Sequence, residues 1–408
     1  MFINDQAPLV MAYIDPGTGS AIFTVLIGLI GVVFYGAKGL WIKLKSGIKK
    51  EKVSDISIPY VIYTDSKRYW NTFKPICDEF ESRKINIKYL TQSDDDPALK
   101  ENYKYVETEF IGEGNKGITK MNFLNASVVL TTTPSLDVYQ WKRSKNVKYY
   151  IHIPHMVNDI TTYRMFGIDY FDSILTSNDF QIEQIRKLEK LRNLPAKECT
   201  TVGLTYFDSM KERLNSSKKP KNNRPVVLVA PSWGPSSLLN LYGAKLLDEL
   251  VKTGYEIIVR PHPQSYISEK EMITSLQEKY NNIEWNNDND NFNVLNKSDI
   301  MISDFSGVIF DFSLVFDKPV IYANAKFDDS IYDAWWLKEK LWTFEVLPKL
   351  GKELTEENFD SLKTIIDSCL NDKRFKQERT NVRKQSWLNE GNSAKLIVDY
   401  MINVRNKV

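Results

Sequence analysis

The spacing of hydrophobic and polar positions changes along the chain and divides it into two kinds of segment. Residues 21–37 form an apolar run without a charge. From about residue 58, short apolar runs rich in β-branched and aromatic residues alternate with amphipathic stretches of helical period. Such alternation is typical of a parallel sheet wrapped by helices. The pattern therefore predicts an α/β fold preceded by a transmembrane helix.

A polar segment, NSSKKPKNNR at 215–224, interrupts the alternation and predicts an interdomain linker. We expect two doubly wound, Rossmann-like domains at 56–214 and 225–372. C-terminal helices follow at 373–408, and the last of them is expected to begin at an N-cap at Ser393. The predicted strands cover 59–65, 85–90, 126–132, 148–153 and 172–177 before the linker, and 226–233, 255–263, 283–285, 300–304 and 318–323 after it.

The apolar run predicts a membrane anchor at residues 1–50. A spanning helix needs about 20 largely apolar residues, and the segment from about 21 to 42 carries a single charge, Lys38. Lysines crowd its C-terminal side, whereas residues 1–20 contain no lysine or arginine. The positive-inside rule then places the long C-terminal part in the cytoplasm. We therefore expect a single-pass protein of the cell membrane with its catalytic part in the cytoplasm.

Composition narrows the classes of function. With 54 Lys and Arg against 52 Asp and Glu, no global basic field exists to bind nucleic acid. The three cysteines lie far apart without metal-ligand spacing, so neither a disulfide framework nor a metal site is predicted. Walker A loops, G-x-S-x-G elbows and paired glycosidase carboxylates are also missing from the sequence. These observations disfavour NTPases and hydrolases.

Two strand ends of the second domain carry candidate ligand-binding residues. Open α/β sheets bind ligands outside the carboxyl ends of their strands. Ser232, Trp233 and Gly234 follow the first of these strands and allow close backbone approach and stacking on a base. The alternative is an ordinary turn with a buried tryptophan. Arg260 and His262 follow the next strand, and this pair suits a diphosphate. For His262, the alternative is a structural histidine bonded to the backbone.

A third strand end, in ISDFSGVIFDF, predicts a phosphate cradle. Asp304, Ser306 and Gly307 form a small polar turn before an apolar helix. The first N–H groups of a helix and the positive end of its dipole bind anions, and the Ser306 hydroxyl adds a donor. A capped, buried helix without a ligand gives the same pattern and is the alternative.

The first domain offers a general base in IHIPHMVND. His152 alternates with Ile151 and Ile153 inside a strand, which favours a packed side chain. His155 follows Pro154 just past the strand end, where it can face the interdomain cleft. An imidazole with a pKa near 6.5 is a natural base for a hydroxyl nucleophile. We favour His155 as the base and keep His152 as the alternative.

Three segments carry a further signal, namely RPHP at 260–263, SDFSGVIFDFSLVFDKPVIY at 303–322 and EGNSAKLIVDYM at 390–401. Together they resemble the CDP-glycerol glycerophosphotransferase family, membrane-associated enzymes that build teichoic-acid-like polymers. The likeness covers roughly residues 125–400. The resemblance implies a GT-B architecture, in which the acceptor enters from the N-terminal domain and the C-terminal domain holds the nucleotide.

The resemblance also implies roles for single residues. His262 would lie beside the diphosphate of the donor, while Ser306 and the helix start behind it would hold phosphate oxygens. His155 would correspond to the base of the N-terminal domain. The family's W-H-G-T-P-type sequence reads I-H-I-P-H here, so His152 is the alternative match. Gly307 stands where a second serine is usual.

The sequence thus predicts a membrane-anchored cytoplasmic transferase. It would move glycerol phosphate, or a related polyol phosphate, from a CDP-activated donor to a hydroxyl of a lipid-linked acceptor and release CMP. Neither a cofactor nor a nucleic-acid partner is expected. Two alternatives stay open: a GT-B glycosyltransferase that uses a nucleotide sugar, and a non-catalytic membrane-bound binding or scaffold protein on the same fold.

Overall fold

Buried apolar runs form the centres of two parallel β-sheets. The structure is a computed structural model that describes residues 57–218, 220–323 and 325–408. Val226–Val229 and Ile300–Ser303 are buried along their whole length, as expected for central strands covered by helices on both faces. The strands are β1 (Ile58–Thr64), β2 (Ile87–Thr91), β3 (Val106–Phe110), β4 (Ala126–Thr131), β5 (Val147–His152), β6 (Ser173–Thr176), β7 (Glu198–Thr201), β8 (Val226–Val229), β9 (Glu256–Val259), β10 (Glu284–Trp285), β11 (Ile300–Ser303), β12 (Val320–Ala323) and β13 (Gly351–Leu354).

Both sheets are doubly wound. The described residues form a sheet of order β3-β2-β1-β4-β5-β6-β7 and a second of order β10-β9-β8-β11-β12-β13, and the paired strands run parallel. Each contains the 3-2-1-4-5-6 order of the Rossmann fold. The order reverses between β1 and β4 and again between β8 and β11. Ligands of such sheets bind at these switch points, and the predicted α/β architecture with parallel sheets is confirmed.

Helices pack on both faces of each sheet. Phe73 and Phe80 of the first helix pack on Ile62 and Val128 of the first sheet. The helices are α1 (Trp70–Ser82), α2 (Asn115–Asn122), α3 (Asp179–Arg192), α4 (Thr205–Ser216), α5 (Leu238–Lys252), α6 (Ser265–Ser268), α7 (Lys270–Lys279), α8 (Phe292–Lys297), α9 (Val308–Phe310, continued by a π-helical turn Asp311–Val315), α10 (Ala334–Leu337), α11 (Trp342–Leu350), α12 (Leu362–Asn371), α13 (Lys373–Ser386) and α14 (Ser393–Arg405).

The last helix, α14, returns to the first sheet. Its residues Ile397 and Met401 join the core that covers β1 and β4. The expected N-cap at Ser393 is wrong, because the helix already includes Ser393 and that side chain is buried inside the fold. The cap is supplied by Asp208 of α4, which accepts hydrogen bonds from the amides of Ser393 (3.1 Å) and Gly391 (2.8 Å). A carboxylate at a helix N-terminus is favourable.

The connection between β12 and α11 also crosses to the first sheet. Asp159, which follows β5, accepts hydrogen bonds from the amides of Trp342 (2.8 Å) and Thr343 (2.9 Å) and thereby caps α11. Asp333 forms a buried ion pair with Arg192 of α3. The two sheets are therefore joined by several buried polar contacts in addition to the chain itself.

The sequence pattern missed three of the four strands at the sheet edges of the described residues and predicted the fourth, β10, at 283–285. β3, β7 and β13 alternate apolar and polar residues or are largely polar, because an edge strand is covered on fewer sides. Predicted strands at 226–233 and 255–263 end early, at Val229 and Val259, where the prolines of APSW and RPHP follow. Proline lacks the N–H that a central strand requires. Helix α4 extends into the predicted linker as far as Ser216.

No helix within 57–218, 220–323 and 325–408 is long and apolar enough to cross a membrane. The predicted span at 21–42 lies outside these described ranges.

We expect Asp159→Ala to destabilise the protein by about 1–3 kcal/mol, because two buried amides at the start of α11 lose their acceptor. Urea unfolding followed by tryptophan fluorescence measures the change. Asp94→Ala removes an exposed carboxylate and is the matched control. Equal unfolding midpoints for the two variants would contradict the role of Asp159.

Candidate active site

The switch point of the second sheet is organised by the carboxylate of Asp304, which follows β11. Asp304 is 1% exposed and accepts hydrogen bonds from the backbone amides of Ser232 (3.0 Å), Leu238 (2.8 Å) and Ser306 (3.1 Å). Burial raises its pKa above the ordinary value, although the amide hydrogen bonds oppose that rise. Because its oxygens are engaged by these amides, Asp304 positions the surrounding loops, and the substrate-binding role expected for it stays a prediction.

The loop after β8 forms one wall of the site. Ser232 is buried, whereas the indole of Trp233 is 40% exposed and its ring centroid lies 6.3 Å from that of His262. Gly234 adopts a φ of +92°, which favours glycine, and an added Cβ there would meet no non-neighbouring atom of the described protein within 4 Å. An exposed aromatic ring beside open backbone is suited to a planar or sugar-like ligand.

Arg260 binds the segment that follows β10. Its guanidinium donates hydrogen bonds to the side chain of Asn286 and, at 2.7 Å, to the carbonyl oxygen of Asp288. Burial lowers its pKa from the ordinary value. In this structure Arg260 therefore holds the segment after β10 and contributes a positive charge to the site, and the expected direct contact stays a prediction.

His262 is half-buried at the site and presents a hydrogen-bond donor. The amide of Gln264 donates to its Nδ1 at 3.1 Å. Burial lowers the pKa of His262 to about 4; the charges of Arg68 and Arg260 lower it as well, and that of Glu269 opposes them. The ring is thus neutral near pH 7, and because Nδ1 accepts a hydrogen bond, the ring proton resides on Nε2.

The start of α9 provides open backbone amides. The amides of Ile309 and Phe310 already donate to the carbonyl oxygens of Ser306 and Gly307. Gly307 is exposed, and an added Cβ would meet no described atom within 4 Å. The backbone at Gly307 is therefore open to a ligand beside the half-buried Ser306. Its φ of −57° is also accessible to serine, so the family's usual residue fits this position.

Helix α9 is fixed at its other end by a partly buried polar cluster. Asp311 accepts hydrogen bonds from the hydroxyl of Tyr206 (3.0 Å) and the side-chain amide of Asn291 (3.2 Å). Burial raises the pKa of Asp311 to about 7. The residue opens a π-helical turn, a feature often found near functional sites. The cluster connects α4 to the helix that carries the Gly307 amide.

The first sheet contributes His155, which lies past the end of β5 as predicted. Its Nδ1 is 3.1 Å from the hydroxyl of Thr132, and its ring centroid lies 4.8 Å from that of Tyr69. Burial lowers the pKa of His155 to about 4, so the ring is neutral at pH 7. His152 is fully buried, with Nε2 at 3.1 Å from the hydroxyl of Tyr163.

The two histidines are joined through Thr132 and Tyr163. Burial raises the pKa of Tyr163, and a hydrogen bond from Thr132 partly opposes that rise. The contacts therefore run from His155 through Thr132 and Tyr163 to His152. Burial also lowers the pKa of His152, to about 3. Of the two, His155 alone is partly exposed, and its role as the base stays a prediction.

Residues that follow the carboxyl ends of the strands connect the two sheets. Arg68 follows β1 of the first sheet, and its charge lowers the pKa of His262 on the second. Its neighbour Tyr69 packs on His155. The described residues therefore bring His155, Arg68 and His262 to one cleft between the switch points. Sequence patterns missed several residues of this cleft because none of them stands in an unusual local motif, namely Arg68, Tyr69, Thr132, Tyr163 and Glu269.

Two doubly wound sheets with facing switch points, and a final helix that returns to the first sheet, define a GT-B-like α/β protein. Solved structures support this class. TagF, a wall teichoic acid polymerase, gives a TM-score of 0.55 at 17% identity over 86% of this chain and 89% of that chain. TagF soaked with CDPG gives a TM-score of 0.56 at 15% identity over 94% of this chain and 98% of that chain. UDP-GlcNAc 2-epimerase from Neisseria meningitidis bound to UDP-GlcNAc gives a TM-score of 0.51 at 13% identity over 85% of this chain and 100% of that chain.

At these identities the likeness establishes the fold. The sequence itself matches the family model described as CDP-Glycerol:Poly(glycerophosphate) glycerophosphotransferase over residues 200–403, which is 204 of 408 residues. No curated protein matches the chain. The chain belongs to this glycerophosphotransferase family, which confirms the resemblance noted in its motifs, and it is a CDP-glycerol glycerophosphotransferase-like enzyme.

The low pKa of His152 predicts a loss of stability in acid. Its pKa is about 3 in the folded state and near 6.5 when unfolded, so the unfolded state binds the proton first as the pH falls below 6.5. We expect His152 to contribute a destabilisation on the order of 2 kcal/mol at pH 5 relative to pH 7.5. His152→Gln keeps an acceptor for Tyr163 and should lose this part of the pH dependence. Parallel stability curves for the two proteins from pH 7.5 to 5 would contradict the assignment.

Proposed function

We propose that the protein transfers glycerol phosphate, or a related polyol phosphate, from a CDP-activated donor to a hydroxyl of a lipid-linked acceptor and releases CMP. The observation that carries the proposal is the pairing of two neutral imidazoles, His155 and His262, on facing strand ends. Family membership supports the CDP-activated donor, and the CDPG-soaked TagF structure shares the fold.

On the acceptor side, His155 takes the proton. A base must present a lone pair on Nε2, which requires Nδ1 to donate to the Thr132 hydroxyl. Thr132 then donates to Tyr163, and Tyr163 donates to Nε2 of His152. This direction satisfies each contact in the chain. The acceptor oxygen attacks the β-phosphorus as its proton passes to His155, and the bond from phosphorus to the oxygen of CMP breaks.

On the donor side, fixed donors stabilise the phosphates. His262 donates from Nε2, and the Gly307 amide and Ser306 hydroxyl lie at the start of α9. Arg68 and Arg260 add positive charge. Phosphoryl transfer depends mainly on positioning and electrostatic stabilisation, so such a set is chemically sufficient without a protein nucleophile. A low pKa suits His262 because a neutral ring donates without binding a proton that must later be released.

We further propose that residues 21–42 anchor the enzyme in the cell membrane, with residues 57–408 in the cytoplasm. The support is the uncharged run and the lysines that follow it. A lipid-linked acceptor lies at the bilayer surface, so an anchor raises its local concentration at the active site.

His262→Ala should lower kcat/KM with CDP-glycerol about a hundredfold or more, because one preorganised donor to the developing charge is lost. Ser306→Ala should cost less, since the Gly307 amide remains. CMP release measured by chromatography reports both rates.

His155→Ala tests the acceptor side in the same assay. Loss of turnover with unchanged binding of CDP-glycerol is the expected result. Wild-type rates in both histidine variants would contradict the proposed chemistry, and turnover of a nucleotide sugar in place of CDP-polyols would assign the enzyme to the glycosyltransferases.

Deleting residues 1–50 should leave turnover on a soluble acceptor within about twofold of the full chain, because these residues contribute no group to the proposed chemistry. Turnover on acceptor embedded in vesicles should fall by at least tenfold as the gain in local concentration is lost. The ratio of the two rates is the measurement. An equal loss on both acceptors would show that the segment does more than tether.

A further inference from the structure

A carboxylate at the switch point of the first sheet has no part in the proposed chemistry. Asp65 follows β1 and Thr133 follows β4, and the strand order reverses between these two strands. The Thr133 hydroxyl donates to Oδ1 of Asp65 at 3.1 Å, and the Asp65 amide donates to that hydroxyl oxygen at 3.3 Å. Because open α/β sheets bind ligands at such a point, Asp65 lies where a ligand of the first sheet is expected.

The carboxyl group of Asp65 is open to a ligand. Asp65 is exposed, and its Oδ2 accepts no hydrogen bond from any other residue that the structure describes. Desolvation by the surrounding protein nevertheless raises its pKa above the ordinary value, although the hydrogen bond from Thr133 and the charge of Arg68 oppose that rise. A group that solvent reaches and that protein surrounds lies on the wall of a cleft. One oxygen is thus held by Thr133, and the other is free to accept.

The same cleft holds the candidate base. The rings of Tyr69 and Tyr163 pack against the ring of His155, with centroids 4.8 Å and 6.3 Å from it. Burial raises the pKa of both tyrosines, and the charge of Asp65 raises it further. The carboxylate therefore lies near the two aromatic rings that contact the imidazole.

Neighbouring threonines hold the two groups. The Thr132 hydroxyl lies 3.1 Å from Nδ1 of His155, and the Thr133 hydroxyl bonds to Asp65. The Cα atoms of consecutive residues are about 3.8 Å apart, so the imidazole and the carboxylate are both fixed at the end of one strand, β4. A small ligand that presents a hydroxyl to His155 therefore comes next to Asp65.

The chemistry of a carboxylate selects the part of the ligand that it binds. A carboxylate accepts hydrogen bonds and repels phosphate, so its partner is a hydroxyl or an amino group. The acceptor of the proposed reaction brings one hydroxyl to His155. If that acceptor ends in a polyol, the neighbouring carbon carries a second hydroxyl, which can donate to Asp65. A phosphate of the acceptor must then point away from this wall of the cleft.

We propose that Oδ2 of Asp65 accepts a hydrogen bond from a second hydroxyl of the acceptor, adjacent to the hydroxyl that attacks the donor. Asp65 is then a specificity-determining residue that selects acceptors ending in two adjacent hydroxyls. This inference rests on the proposed function, because it uses the acceptor position defined there by His155.

The test compares acceptors and variants of the full chain by CMP release from CDP-glycerol. The diol acceptor is octyl phosphoglycerol, and analogues built on 1,3-propanediol and 1,2-propanediol each lack one of its two hydroxyls. With the wild type, the analogue that keeps the attacking hydroxyl should have a kcat/KM at least about tenfold below that of the diol, as expected for losing a hydrogen bond to a charged group. Asp65→Asn keeps an acceptor for Thr133. It should use the diol less well by a similar factor and prefer it by no more than about threefold, because a neutral amide bonds a hydroxyl more weakly.

Controls separate the possible failures. Asp94→Asn removes an exposed charge after the neighbouring strand β2 and should prefer the diol as the wild type does. An equal preference in wild type and Asp65→Asn, or none in either, would overturn the contact and leave the proposed function intact. Weaker binding of CDP-glycerol, but not of CDP, to Asp65→Asn would assign the carboxylate to the donor glycerol and overturn the contact too.

Binding of CDP-glycerol to the wild type separates this inference from the proposed function. A wild type that binds CDP-glycerol by isothermal titration but does not use octyl phosphoglycerol would overturn the diol contact alone. Failure to bind CDP-glycerol would overturn the proposed function together with the inference that rests on it.

Discussion

The candidate active site depends on the buried carboxylate of Asp304. This one group accepts hydrogen bonds from the loop after β8, from the first residue of α5 and from the turn that precedes α9. These three segments carry Trp233, Gly234 and the Gly307 amide, so their relative positions are set by a single internal acceptor. A buried charge is tolerated only when it is well paired, and here backbone amides supply the pairing. The loops can therefore keep the backbone at Gly234 and Gly307 open to a ligand without collapsing on each other.

The two accessible histidines show how burial and hydrogen bonding give one side chain two roles. Both have a pKa of about 4, because the cleft disfavours the charged ring. Near pH 7 each ring carries one proton, and the hydrogen-bond partner of the ring determines which nitrogen holds that proton. A backbone amide fixes the proton of His262 on Nε2. At His155, a hydroxyl chain that ends at His152 allows the opposite arrangement. In the proposed chemistry, the imidazole of His262 is thus a donor and that of His155 a base.

Much of the fold was predictable because buried strands have a distinctive composition. The central strands of both sheets follow from their apolar runs, and the residues at their ends follow from the rule for open α/β sheets. Hydrogen-bond partners were not predictable in the same way. Arg260 stands beside His262 in sequence, yet its guanidinium binds the segment after β10. Ser393 matches a capping pattern, yet Asp208 supplies the cap from another helix. Such contacts join residues distant in sequence, and no local pattern reports them.

The central claim is that the carboxyl edge of the second sheet holds the diphosphate of a CDP-activated donor. A crystal structure of the protein with CDP-glycerol tests it most directly. We expect the diphosphate oxygens within hydrogen-bonding distance of Nε2 of His262 and of the amide of Gly307, with the β-phosphorus open toward His155. Density for the nucleotide elsewhere on the molecule, with this edge filled only by water, would contradict the account.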